Sequence, residues 1–245
     1  MDVMTAIARL QAGMLRPLYE FVFPSSCFAC DGPIRNDEHK VCRSCWSAIQ
    51  RVSHNDALYA RTAARLAAEG NITGLVSAFR FEKDGTLQSL IHHLKYNGIT
   101  DIGVELGKQL GEGILPWLSN VAIAGLIPVP LHPAKCRERG YNQSEYICQG
   151  INAVTGLRVL SGLLKRRRYT ESQTHLEIEE RRRNVAGAFV PAPAAKLSDL
   201  TYLIVDDVIT TGATMSACAK TLAEHGASRV IACSVALAEW RHTQD

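Results

Sequence analysis

The sequence predicts an α/β protein: a mainly parallel sheet flanked by helices, preceded by a small N-terminal module organised around four cysteines. Three observations carry this expectation. Short aliphatic or β-branched runs alternate with segments of helical apolar spacing along most of the 245 residues, the pattern of βα units. One run passes through an acid pair straight into a Thr/Gly-rich turn and a helix, in Leu203-Ile204-Val205-Asp206-Asp207-Val208-Ile209-Thr210-Thr211-Gly212-Ala213-Thr214. Four of the eight cysteines form two CxxC pairs near the N-terminus. A hydrophobic content of 47% is ample for a core, and a net charge of +3 does not by itself imply nucleic acid. No stretch approaches a transmembrane span, so no membrane insertion is expected.

In chain order, residues 1–22 read as a helix with Val3, Ile7, Leu10 and Met14 on one face. Asp2 and Arg9 interrupt any secretory signal there. Residues 24–47 form the cysteine module, and 55–69 are Ala/Arg-rich and helical. Gly74 to Phe81 is a strand, and Thr86 to Tyr96 a helix burying Leu87, Leu90, Ile91 and Leu94. Ile102 to Trp117 is a second amphipathic helix. Ala124 to Pro130 is a strand followed by a polar loop, Asn142 to Val154 a helix, and Arg158 to Leu164 a strand. Residues 165–185 are highly charged, and 191–195 read as a Pro/Ala linker. The strand Tyr202 to Val205 is continuous and β-branched, as a strand buried on both faces should be. A helix from Met215 to His225 follows, with Gly226 placed to end it, then a last strand from Arg229 to Leu237. The expected boundary divides residues 1–55 from residues 56–245.

Cys27-Phe28-Ala29-Cys30 and Cys42-Arg43-Ser44-Cys45 are two knuckles separated by eleven residues. Together they offer four soft thiolate ligands, a set that suits tetrahedral zinc in a structural role. An iron–sulfur cluster or a redox dithiol pair are the alternatives. So small a fragment has little core of its own, so bound metal would supply its folding free energy. The other cysteines, Cys136, Cys148, Cys218 and Cys233, are scattered, which fits a reducing cytoplasm.

The acid pair and its turn point to a phosphorylated ligand. Where strand hands over to helix, free N–H groups and the positive dipole end collect, and Gly212 lets the backbone approach an anion. Thr210, Thr211, Gly212, Ala213 and Thr214 thus form a phosphate cradle. Asp206 and Asp207 would repel that phosphate unless a ribose or a divalent cation lies between. An ordinary strand-turn-helix corner with a solvated acid pair is the bland alternative. A second anion site is expected after Pro130, where Leu131, His132, Lys135, Arg137 and Arg139 precede a helix start near Asn142. The segment 165–183 carries seven Lys/Arg against four Glu. A solvated face would explain it, but Arg168-Tyr169-Thr170, Gln173 and Arg183-Asn184-Val185 favour a functional loop.

Taken together, the CxxC pairs, Pro128-Val129-Pro130, Arg139-Gly140-Tyr141-Asn142-Gln143, the Arg168…Gln173…Arg183 segment and Asp206 to Thr214 resemble the competence protein F-like (ComF/GntX) family. That family joins a double-CxxC zinc module to a type I phosphoribosyltransferase-like domain. The resemblance implies that fold for residues 56–245, and phosphoribosyl pyrophosphate with Mg2+ as ligand. It implies that Asp206 and Asp207 hold the ribose hydroxyls and Thr210 to Thr214 the 5-phosphate. The loop bearing Leu131, His132, Arg137 and Arg139 takes the pyrophosphate. Arg168, Gln173 and Arg183 act from a mobile flap, and Cys27, Cys30, Cys42 and Cys45 bind Zn2+. It further implies a transferase of unknown acceptor linked to DNA uptake and natural competence. A non-catalytic ligand-sensing adaptor, or a protein that binds single-stranded DNA or DNA-uptake and recombination proteins, is the competing expectation.

Overall fold

The computed structural model describes residues 26–35, 38, 40–168, 185, 187–192, 197 and 199–239. The expected helix over 1–22, His39, Gln173, Arg183 and most of the basic segment lie outside the described residues. Internal contacts divide the chain into two compact units, Met1–Ile49 and Gln50–Asp245. Gln50 and Val52 fall with the second because their backbone pairs with strand Gly74–Phe81: Arg80 N donates to Gln50 O at 2.9 Å and Val52 N to Ala78 O at 3.1 Å.

In the first unit the chain turns tightly through each knuckle. Cys27 N donates to Gly32 O and Phe28 N to Lys40 O, at 2.8 and 2.9 Å. Asp31 and Lys40 take left-handed backbone at φ 56° and 62°, and an isolated antiparallel bridge joins Ser26 to Pro33. A short helix α1 (Arg43–Ala48) follows the second knuckle. Glu38 braces its approach, its carboxylate accepting from Arg35 N and Arg43 N at 2.9 Å each.

In the second unit, helix α2 (Ala57–Ala67) leads to β1 (Gly74–Phe81), α3 (Thr86–Tyr96), α4 (Thr100–Leu118) and β2 (Ile123–Pro128). Next come α5 (Pro133–Arg139), α6 (Gln143–Thr155), and the short strands β3 (Leu164–Arg166) and β4 (Phe189–Pro191). Strand β5 (Thr201–Ile209), α7 (Ala213–Ala223) and β6 (Arg229–Ala238) complete it. The main sheet runs β1-β6-β5-β2, every neighbouring pair parallel. Its central strands are covered on both faces: Leu203 is 1% exposed and its alternate neighbour Ile204 0%, as βα crossovers require. Strands β3 and β4 form a separate antiparallel ribbon.

Three differences from the sequence expectation matter. The loop after Pro130 contains helix α5, started by Pro133 with the His132 ring accepting from Ala134 N and ended at Gly140, φ 84°. The strand expected over Arg158 to Leu164 reduces to one bridge, Val159 to Leu126. Gly162 then turns the chain at φ 81° into β3. Strand β5 runs on through the acid pair to Ile209, because Asp206 and Val208 still pair with Ser234 and Ala236.

The tightest packing in the second unit is between α4 and α6. A Cβ on Gly107 would lie 2.1 Å from Ile147 O, and one on Gly150 2.0 Å from Val104 O. The two backbones therefore touch, and only glycine fits at either position. This crossing matters for function because α6 begins at the sheet's ligand-facing edge. Its N-cap Asn142 accepts from Ser144 N at 3.2 Å while donating to Val129 O at 3.0 Å.

Candidate functional site

Asp206 and Asp207 sit on β5 at the end of the sheet where α/β proteins bind ligands. Asp207 is 5% exposed and forms an ion pair with Lys95, from the last turn of α3. Asp206 Oδ1 accepts from Ser144 Oγ at 3.0 Å and from Asp207 N at 2.9 Å. The two carboxyls divide their protonation. Burial, then the neighbouring Asp207 charge, pushes Asp206 up to about 7. Burial also opposes charge on Asp207, but the Lys95 ammonium outweighs it and holds that carboxyl below the usual range. Lys95 is held above its ordinary value by the same pair, against the cost of its burial.

This split sets a pH dependence. Folded Asp206 keeps its proton to about pH 7, whereas the unfolded chain gives it up near about pH 4. Between those values the folded state binds more protons, so the Asp206 contribution to stability falls as pH rises. Asp207 acts in the opposite sense lower on the scale: its contribution is present above about pH 4 and is lost as pH falls through its depressed pKa. Urea unfolding across about pH 4 to 7.5 should show the Asp206 descent in wild type, and Asp206→Asn should flatten it. An unchanged slope in that variant would remove the assignment.

The turn after β5 is built from both ends. Gly212 caps α7 at φ 82°, and a Cβ there would meet Leu66 Cδ2 at 2.5 Å. So Gly212 is required twice, by conformation and by the close approach of α2. Thr211 is buried, its Oγ1 accepting from Ala213 N at 3.4 Å. Thr210 O accepts from Arg65 Nη2 at 2.6 Å. Helix α2 is itself anchored by Asp56, which caps it through Leu58 N at 2.9 Å and accepts from Arg80 of β1 with both oxygens, each at 2.9 Å. The Leu58 N–H and then Arg80 hold the Asp56 carboxyl low.

The loop and α5 supply the positive side. Leu131 and His132 are half-buried at its entrance. Lys135 and Arg139, four apart on α5, share one face, and their charges reach Lys95 and each other. Arg137 lies between them in sequence and is exposed. Arg139 bonds to Gln143 and lies over the Tyr96 ring at 5.6 Å. Arg166 of β3 is half-buried, over Phe189 at 5.3 Å. Burial pulls its pKa down, and the Asp206 charge is among those that restore it. Arg168, just beyond β3, is exposed. The structure thus brings together Asp206, Asp207, the Thr210 to Thr214 turn and Arg139. Sequence reasoning missed Lys95, Ser144 and Arg65 as participants, and placed Arg166 only within the basic 165–183 segment.

In the first unit the sulfur atoms of Cys27, Cys30, Cys42 and Cys45 all lie within 4.8 Å of one another, with Cys30 and Cys42 3.9 Å apart. Zn–S bonds of about 2.3 Å set tetrahedral S···S edges near about 3.8 Å, so the cluster could hold a zinc ion. The Ser44 hydroxyl, 3.0 Å from Cys42 Sγ, and the Cys45 N–H lower that thiol to about 6, the thiolate form a metal needs.

The fold is of the phosphoribosyltransferase type: residues 157–243 match the phosphoribosyl transferase domain family. The chain is 32% identical over 148 residues to the DNA utilization protein YhgH of Salmonella typhi, covering 59% of this chain and 64% of that protein. It is 28% identical over 159 residues to competence protein F of Haemophilus influenzae, covering 64% and 63%. These relatives, with the four-cysteine cluster, bear out the competence protein F-like resemblance. The chain spans less than two thirds of the length of either relative. Among solved structures, the Trypanosoma cruzi hypoxanthine phosphoribosyl transferase aligns at a TM-score of 0.36 and 10% identity, over 60% of this chain and 75% of that one. No helix among the described residues is long and apolar enough to cross a membrane.

Proposed function

We propose that this chain binds phosphoribosyl pyrophosphate with Mg2+ and acts as a phosphoribosyltransferase in DNA uptake, its acceptor unknown. One observation carries the reading: an acid pair on β5, with Asp207 buried and Asp206 half-buried, runs into a glycine-capped turn; Lys95 pairs with it, Arg166 lies within reach of Asp206, and Lys135 and Arg139 lie within reach of Lys95. The carboxylates suit ribose hydroxyls, the turn's N–H groups suit the 5-phosphate, and the cations suit pyrophosphate. The donor set of carboxylates and the Ser144 hydroxyl is hard oxygen, which fits Mg2+. When bound, the metal would neutralise charge on the departing pyrophosphate.

The protein's own groups would do the rest. Asp206 or Asp207 would stabilise positive charge developing at ribose C1. His132 at the start of α5, with Arg137 and Arg139 in its last turn, would hold the leaving group. Arg168, with Gln173 and Arg183, would close over the site and exclude water. The roles of the last two rest on sequence alone. Zn2+ would fix the first unit as a structural ion. Among the described residues the eight cysteines, four of them the proposed zinc ligands, form no disulfide, which fits a cytoplasmic location.

Calorimetric titration of the ligand with Mg2+ tests this reading. Wild type should bind. Asp206→Ala and Asp207→Ala should each weaken binding by about tenfold or more, the loss of at least one charge-assisted contact. Pyrophosphate release with candidate acceptors then reads turnover. Silence of the wild type would overturn the ligand assignment. Binding without turnover would assign the non-catalytic role, a reading that the relatives' names in competence and DNA utilization favour. Its partners would be single-stranded DNA or DNA-uptake and recombination proteins.

A further inference from the structure

We infer that Lys95 bridges the two halves of the site, holding Asp207 with one N–H while presenting its others to the pyrophosphate group of the bound ligand. The inference deepens the proposed function and rests on it.

The geometry is specific. Lys95 follows the fully buried Leu94 in the last turn of α3. That turn is tied to the segment between α5 and α6 by Tyr141, whose hydroxyl donates to Leu94 O. Lys95 is therefore held next to α5 as well as next to β5. The ammonium is paired with Asp207, and the Lys95 side chain as a whole keeps 24% of its surface exposed, so the protein covers it only in part. An ammonium has three N–H donors. Among the described residues, Asp207 is the one protein acceptor recorded for it. The same ammonium is repelled by Arg139 and Lys135.

Four cations thus gather on one side of the acid pair: Lys95 against Asp207, Arg166 within reach of Asp206, and Lys135 and Arg139 within reach of Lys95. Their mutual repulsion is relieved by an anion placed on the side of Lys95 away from Asp207. The 5-phosphate cannot serve, because its turn lies beyond Asp207 in the strand direction and is braced from α2. A pyrophosphate on ribose C1 can. Lys95 would then favour ligands that carry an anion at C1 over those that carry only the 5-phosphate.

The test compares three probes, each titrated with Mg2+ by calorimetry: phosphoribosyl pyrophosphate, ribose 5-phosphate and inorganic pyrophosphate. Lys95→Met keeps the apolar stem and removes the charge. It should weaken phosphoribosyl pyrophosphate by about tenfold or more, one charge-assisted contact. Ribose 5-phosphate should change by less than about threefold, and Lys95→Arg should recover part of the loss. An equal loss for both ribose ligands, or no loss for phosphoribosyl pyrophosphate, would overturn the bridging role. A wild type silent to all three probes would instead bring down the ligand reading itself, so the two failures are distinguishable. Thermal melts accompany each variant. If Lys95→Met does not fold, Lys95→Gln carries the same comparison with a neutral donor.

Discussion

Stripping the metal from the four-cysteine cluster, or replacing Cys45 by Ala, should unfold the first unit and leave the parallel sheet intact. The reason is the scarcity of other core. Among the described residues of that unit, Cys27, Val41, Cys42, Cys45 and Ile49 are the buried hydrophobics, so three of the five are the proposed ligands. Two aliphatic side chains contribute only about 3–6 kcal/mol on burial, far below the conformational entropy of ordering some twenty residues at about 1–2 kcal/mol each. Zinc in such sites supplies roughly 10–16 kcal/mol of apparent free energy, which becomes folding free energy. Hydrogen exchange after chelation should show loss of protection across residues 26–49, with β5 and β6 unchanged. Metal analysis should find about one zinc per chain. Full protection of the knuckles after complete metal removal would overturn this expectation, and visible charge-transfer absorption would favour an iron–sulfur cluster.

The second large effect is expected at the α4–α6 crossing. Gly107→Val should lose about 3 kcal/mol or more, measured by urea unfolding, because its Cβ would overlap Ile147 O, a backbone atom fixed in a helix. Gly113→Ala on the same helix is the control. Its added methyl would touch only Val76 Cγ1, at 3.6 Å, so it should be neutral or stabilising by about 0.5–1 kcal/mol. The damage at Gly107 should also reach the site. Displacing α6 takes Ser144 from Asp206, so ligand binding by any folded Gly107→Val protein should weaken as well. Equal stabilities for the two variants would mean that the helices separate without cost.

How much of this was legible in the sequence depended on whether the relevant residues are neighbours in the chain. The cysteine knuckles and Asp206 to Thr214 are contiguous, so their chemistry reads directly. Strand β1 and helix α3 were legible to the residue: β1 is a short apolar run closed by the Lys83-Asp84-Gly85 turn, and the Leu87, Leu90, Ile91, Leu94 stripe of α3 follows from local periodicity. Helix α5 was not. It buries none of its residues, so it has no apolar period, and its proline and basic residues look like a loop. Lys95 was hidden for a different reason. A lysine in the last turn of an amphipathic helix is what the helix dipole favours at any solvated end. Only the fold brings it to Asp207. Arg65 reads the same way, as one more arginine in an Ala/Arg-rich helix.

Arg65 has a consequence out of proportion to that modest signature. In a trans peptide the C=O and the following N–H point in opposite directions. By drawing the Thr210 oxygen toward α2, at 2.6 Å, the guanidinium turns the Thr211 N–H away from α2. The polarity of the first peptide in the turn is thus decided by a side chain on another element. On the proposed reading, Arg65 helps to recruit a phosphate without touching it. It draws aside a backbone oxygen that would repel the anion and leaves a donor facing the other way. A cation here works by ordering the backbone's own dipoles.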